Sequence, residues 1–129
     1  MLYLDTSAAL KLVVPGPETA GLELWIAQRA GVPRVSSRLL RLELLRAVWR
    51  QGPRRVNRAH AILSAVALLS MDEAAPAAEA IGDPLARSLD AIHLATAFGI
   101  RTDLTAFVCY DERLSASAHA LGLPVASPA

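Results

Sequence analysis

The amino-acid sequence predicts an α/β fold in which a short, mostly parallel sheet of four or five strands is covered by helices on both faces. Short, continuously apolar runs such as Leu2-Tyr3-Leu4 and Phe107-Val108-Cys109-Tyr110 read as buried strands. Each is followed at once by a segment of helical periodicity, and alternating strands and helices favour parallel connections. A third observation concerns charge. Both runs end in an acid, Asp5 and Asp111, where open parallel sheets bind ligands.

The elements follow in chain order. Leu2 to Asp5 is the first strand, and Ser7 can cap a helix through Val13 that Pro15-Gly16-Pro17 breaks. Pro17 can open a second helix, which carries Trp25 and Ile26 and ends at Gly31. Val32 to Ser36 is the second strand, with Pro33 at its start. Ser37 caps a helix from Arg38 to Gln51, and Gly52-Pro53 separates it from a basic helix reaching about Ser64. Val66 to Met71 is the third strand. Asp72 caps the next helix, which places Pro76 near its first turn, where the missing N–H costs least. Asp83-Pro84 turns the chain into a helix capped by Ser88 and ended by Gly99. Phe107 to Tyr110 is the fourth strand, a helix runs to Gly122, and Val125-Ala126 forms a short edge strand.

The helix after Ser88 is the most unusual. Arg87-Ser88-Leu89-Asp90-Ala91-Ile92-His93-Leu94-Ala95-Thr96-Ala97-Phe98 is apolar on nearly every face yet carries Asp90 in its first turn, where the macrodipole favours an ionised acid. A charge on a buried helix is normally paired or bound to a metal. Glu43 is a fourth acid, set in an apolar and basic helix, and pairing with Arg46 or Arg50 is its plain alternative. Asp5 and Asp111 have one too, as turn or cap residues.

Composition bounds the rest. The 129 residues suit one domain spanning 1–129, and 53% hydrophobic with 19% charged residues supports a packed core. The longest uncharged apolar run, Ala61 to Met71, falls far short of the roughly 20 residues of a spanning helix, so a soluble, cytoplasmic protein is expected. A single cysteine, Cys109, excludes an intramolecular disulfide and a multi-cysteine zinc site. The net charge of +1 conceals a basic quarter, where Arg34, Arg38, Arg41, Arg46, Arg50, Arg54, Arg55 and Arg58 either track a nucleic-acid backbone or form a solvated face.

Leu-Asp-Thr-Ser near the start, an isolated Glu after the second strand, Leu-Asp-Ala-Ile-His-Leu-Ala-Thr-Ala and then Tyr-Asp-Glu-Arg-Leu together resemble the PIN-domain nucleases, and most of all their VapC-type toxins. The resemblance runs from Leu2 to about Val125. It implies a three-layer α/β/α fold and a metal-dependent endoribonuclease with Asp5, Glu43, Asp90 and Asp111 as acidic ligands, directly or through water. It also implies a toxin role, a homodimer and a small cognate antitoxin of the VapB kind. Two positions depart from the family pattern: Cys109 stands where Thr or Ser is common, and Ser115 where some members carry a further acid or amide. These departures bear on a second tightly held ion, and the sequence leaves one or two ions open.

The chemistry fits this set. Four converging carboxylates repel one another unless a divalent cation holds them ionised, and Mg2+, with Mn2+ able to substitute, takes oxygen ligands and keeps several waters. His93, one turn from Asp90, reads as a hydrogen-bonded core residue rather than a ligand. Thr6 and Ser7 are caps, or hold a metal-bound water or a phosphate. Asp103 and Glu112 read as solvated acids, and Cys109 as a buried inert thiol. A haloacid-dehalogenase phosphatase needs a second Asp where Ser7 stands, and a receiver domain needs a late strand-end lysine, whereas Lys11 is the sole lysine. A non-catalytic PIN-like module that binds RNA or protein is the alternative. Leu12, Val13, Leu22, Trp25 and Ile26 are either core or part of a groove for an antitoxin helix.

Overall fold

The computed structural model describes residues 1–83 and 86–129, so Pro84 of the Asp83-Pro84 turn lies outside the described residues. Strands β1 (Leu2–Leu4), β2 (Arg34–Ser37), β3 (Ala67–Leu69), β4 (Ala106–Val108) and β5 (Val125–Ala126) form one sheet in the order β3-β2-β1-β4-β5. Every pairing is parallel. The helices are α1 (Thr6–Val13), α2 (Thr19–Ala27), α3 (Leu39–Val48), α4 (Pro53–Ser64), α5 (Met71–Glu79), α6 (Ser88–Gly99) and α7 (Glu112–Ala120).

Side chains alternate across the central strands, and each face has its own core. Leu2, Leu4, Ala106 and Val108 pack against α1 to α4, whereas Tyr3, Val35 and Phe107 pack against α6 and α7. Helix α5 lies chiefly on α6. The result is the expected α/β/α sandwich, with its sheet wholly parallel.

Several boundaries differ from the sequence reading. The cap of α1 is Asp5, not Ser7, because the chain is still extended at Asp5 (φ −69°, ψ 161°). Helix α2 begins at Thr19 rather than Pro17. Thr19 Oγ1 accepts the Gly16 N–H and donates to the Lys11 carbonyl, both at 2.9 Å, which holds the Pro15-Gly16-Pro17 turn outside the helix. Strand β2 starts after Pro33, whose carbonyl accepts the Leu2 N–H at 2.8 Å. Helix α3 stops at Val48, and Trp49–Gln51 tightens into a 3₁₀ turn before Gly52 adopts φ +96°. Strand β3 is confined to Ala67–Leu69.

Ser70, not Asp72, caps α5. Pro76 therefore falls in the helix interior and withholds a hydrogen bond from the Asp72 carbonyl; both residues are exposed. Arg87 occupies the cap position of α6 without a side-chain bond, so Ser88 is already helical. Strand β4 ends at Val108, and Asp111 caps α7 through the Leu114 N–H. Leu22, Ile26, Leu12 and Val13 are buried and Trp25 packs partly against the core, which answers the question of these residues largely in favour of packing.

Candidate active site

Asp5 leaves the end of β1 at the centre of the sheet, beside the end of β4. It is 3% exposed, and Oδ2 carries its local bonds: Ser7 N–H at 3.0 Å, Ser7 Oγ at 2.6 Å and the Cys109 thiol at 3.6 Å. Burial and the Asp5 charge push that thiol up to about 11, so it stays protonated as a donor. Ser7 Oγ also accepts the Tyr110 N–H at 2.9 Å, tying β1 to the segment after β4. One oxygen of Asp5 thus caps the helix. Oδ1 takes no hydrogen bond among the described residues and lies 3.8 Å from His93 Nε2.

Glu43 reaches in from α3. Its Oε1 accepts Thr6 Oγ1 and meets His93 Nε2, each at 2.7 Å. Burial alone raises the Glu43 carboxyl, but the bonds to His93 and Thr6, with the His93 charge, hold it below the ordinary carboxylate range. Neither Arg46 nor Arg50 pairs with it. Asp111 uses Oδ1 to cap α7 at 2.9 Å from Leu114 N. Asp90, in the first turn of α6, is 22% exposed and has Arg87 Nε 3.6 Å from Oδ2. Burial pushes its carboxyl up, Asp111 and Asp5 add to the rise, and Arg87 opposes it.

All four acids line one pocket of about 330 Å³, with Thr6, Ser7, Arg87 and His93 among its other walls. Four chain segments converge there. The donor set is oxygen-rich and suits a hard divalent cation. Among the described residues, no three His, Cys, Asp or Glu side chains are placed to hold one ion directly, so an ion held by this arrangement would be bound partly through water or after small side-chain rotations. Glu112 is exposed, as is Asp103, and neither lines the pocket.

The PIN-domain family profile matches residues 2–120, nearly the whole chain. The chain is a PIN domain of the VapC type. It is 43% identical to Ribonuclease VapC47 of Mycobacterium tuberculosis, an alignment covering 99% of this chain and 97% of that one. It is also 38% identical to Ribonuclease VapC35, over 99% and 97%, and to Ribonuclease VapC46, over 98% and 97%, both of the same organism.

In this PIN domain one of the two positions that depart from the family pattern, Cys109, still reaches the site as a weak donor to Asp5. His93 is where the sequence reading was incomplete. It is a buried, hydrogen-bonded residue as expected, and it is also a wall of the acidic pocket. The signal was its i,i+3 spacing from Asp90 on one helix face.

A second groove, of about 750 Å³, runs along the outer face of α3 and is lined by Arg38, Arg41, Arg46, Arg50, Leu42 and Trp49, among others. Leu42 and Trp49 are 58% and 73% exposed. Among the described residues these four arginines make no side-chain hydrogen bond or ion pair within the chain. No helix among them is long and apolar enough to cross a membrane.

Proposed function

We propose that this PIN domain is a magnesium-dependent endoribonuclease, with manganese able to substitute, acting in the cytoplasm as the toxin of a toxin–antitoxin pair. The observation that carries the reading is the meeting of Asp5, Glu43, Asp90 and Asp111, from four separate segments, in one oxygen-rich pocket. Bound among them, a divalent cation would supply positive charge to the phosphoryl oxygens and lower the pKa of an attacking water. The chain's own residues prepare that place. Ser7 fixes the Asp5 carboxylate, the Leu114 N–H fixes Asp111, and Thr6 with His93 keeps Glu43 ionised. Arg87, 67% exposed beside Asp90, suits a contact to an RNA phosphate.

The unpaired arginines on and flanking α3, Arg38, Arg41, Arg46 and Arg50, support a surface that tracks the RNA backbone. The exposed Leu42 and Trp49 between them support a homodimer contact. A groove of about 640 Å³, lined by Leu12, Val13, Pro15, Arg54, Arg55 and Arg58 among others, supports docking of a VapB-like antitoxin with acidic side chains, since Arg55 Nη1 is buried without a partner among the described residues.

Cleavage of structured and unstructured RNA by purified protein, with manganese or chelator, tests the activity. Asp5→Asn and Asp90→Asn should each lower cleavage by orders of magnitude while remaining folded, and undiminished cleavage in chelator would remove the mechanism. The second reading, a non-catalytic PIN-like module that binds RNA or protein, is the outcome if the purified protein never cuts RNA under any of these conditions. Expression should be toxic alone and tolerated with a co-encoded antitoxin; a harmless active protein in its native host defeats the toxin role alone.

A further inference from the structure

Tyr3, His93 and Glu43 form a hydrogen-bonded chain that leads from the core to the acidic pocket. His93 is 1% exposed and both ring nitrogens are engaged, Nδ1 at 2.7 Å from Tyr3 Oη and Nε2 at 2.7 Å from Glu43 Oε1. The Tyr3 oxygen accepts the Ser37 N–H at 3.1 Å, and its own proton finds Nδ1 at hydrogen-bond distance. Nδ1 then presents its lone pair and Nε2 carries the ring proton, an assignment that follows from satisfying each group. The opposite tautomer would set a bare Nε2 lone pair against a carboxylate oxygen. A doubly protonated ring also keeps the Nε2–H, so a donor faces Glu43 in either charge state.

The phenol is itself immobilised. Its ring stacks on Phe107 at 5.1 Å between centroids and 11° between planes, and meets the His93 ring edge-on at 5.9 Å and 86°. Thr6 Oγ1 donates to the same Glu43 oxygen that His93 contacts. Two donors on Oε1 leave Oε2 without a protein hydrogen bond among the described residues.

We infer that His93 is a positioning residue: with its tautomer fixed by Tyr3, it holds the Glu43 carboxylate in one orientation for the divalent cation of the pocket. This rests on the cation reading of that pocket. It acts through Glu43 rather than on RNA, as outer partners of metal ligands do.

The test titrates metal-free protein with manganese alone, following the signal of free Mn2+ by electron paramagnetic resonance, for wild type, His93→Leu, His93→Gln and Tyr3→Phe. Melting curves establish that each is folded. His93→Leu should weaken manganese binding about 10–100-fold, and His93→Gln, which retains an amide donor near the Nε2 position, should recover most of it. In 15N spectra of histidine-labelled wild type, Nε2 should be protonated, and Tyr3→Phe should let the tautomer with a bare Nε2 appear. Wild-type affinity in His93→Leu, or a protonated Nδ1 with a bare Nε2 in the wild type, overturns the inference and leaves the cation reading standing. A wild type that binds no manganese overturns both. If His93→Leu does not fold, Tyr3→Phe decides, because an unchanged tautomer and affinity there removes the role assigned to the chain of bonds.

Discussion

Ser7 Oγ lies 2.6 Å from Asp5 Oδ2 and accepts the Tyr110 N–H at 2.9 Å, so one hydroxyl joins the ends of two neighbouring strands. Ser7→Ala leaves that N–H without its acceptor and takes from Asp5 Oδ2 the shortest of its three donors. We expect a loss of about 1–3 kcal/mol, read as a lower urea midpoint with an unchanged slope. Manganese binding should weaken as well. A variant as stable as the wild type would mean that water replaces the hydroxyl at no cost.

Asp90→Asn should act with opposite signs in two conditions. In cation-free protein, burial raises the Asp90 carboxyl, with Asp111 and Asp5 adding to the rise. A carboxyl raised on folding contributes stability that is complete below its ordinary value of 3.8 and is lost as pH rises through the folded value. The variant should therefore be the more stable at neutral pH, with that advantage gone below 3.8. The lost helix-start interaction opposes this by about 0.3–1 kcal/mol. Manganese at ~100 times its dissociation constant should stabilise wild type by about 2.7 kcal/mol and the variant by less. Equal thermal shifts in both would take Asp90 out of the metal site.

How much of this was legible beforehand differs from residue to residue. Asp5 and Asp90 stood out because an acid amid apolar residues needs a reason, and the alternation of short strands with helices carried the layered fold. Cap positions were legible only in part. Asp5 and Asp111, readable as caps, do cap α1 and α7, whereas Ser7, Ser88 and Asp72 have capping chemistry but lie one or two residues inside helices whose cap positions fall at Asp5, Arg87 and Ser70. For His93 the spacing from Asp90 was legible but the role was not: its partners Tyr3 and Glu43 are 90 and 50 residues away, and no local pattern reports them.

Pro76→Ala should stabilise the protein, because Pro76 is the sixth residue of α5 and exposed, so alanine restores a helix bond and removes a clash with the Asp72 carbonyl. The expected gain is up to about 3 kcal/mol. An unchanged melting temperature would mean that α5 unfolds before the rest.

Gly21→Ala tests how the last residues lie on α2. A Cβ there would sit 2.2 Å from the Ala129 carbonyl carbon, backbone that must shift. Residues 127–129 are otherwise held by Tyr110 donating to the Pro128 carbonyl and Ser127 donating to Cys109 O. Amide exchange at Cys109, whose N–H donates to the Ala126 carbonyl just before these residues, should quicken in the variant, with a stability loss of about 1–3 kcal/mol. Unaltered exchange would place the last residues elsewhere in solution.

Trp49→Asp should abolish self-association if the outer face of α3 joins two copies. Light scattering on wild type and variant decides it, and a wild type that is monomeric at high concentration removes the homodimer.

Strand β4 enters the sheet between β1 and β5, and Asp111 follows it. Asp5, Glu43 and Asp90 all precede β4 in the chain, so the acidic pocket is complete only once that strand has docked between β1 and β5 and carried Asp111 to the other three acids.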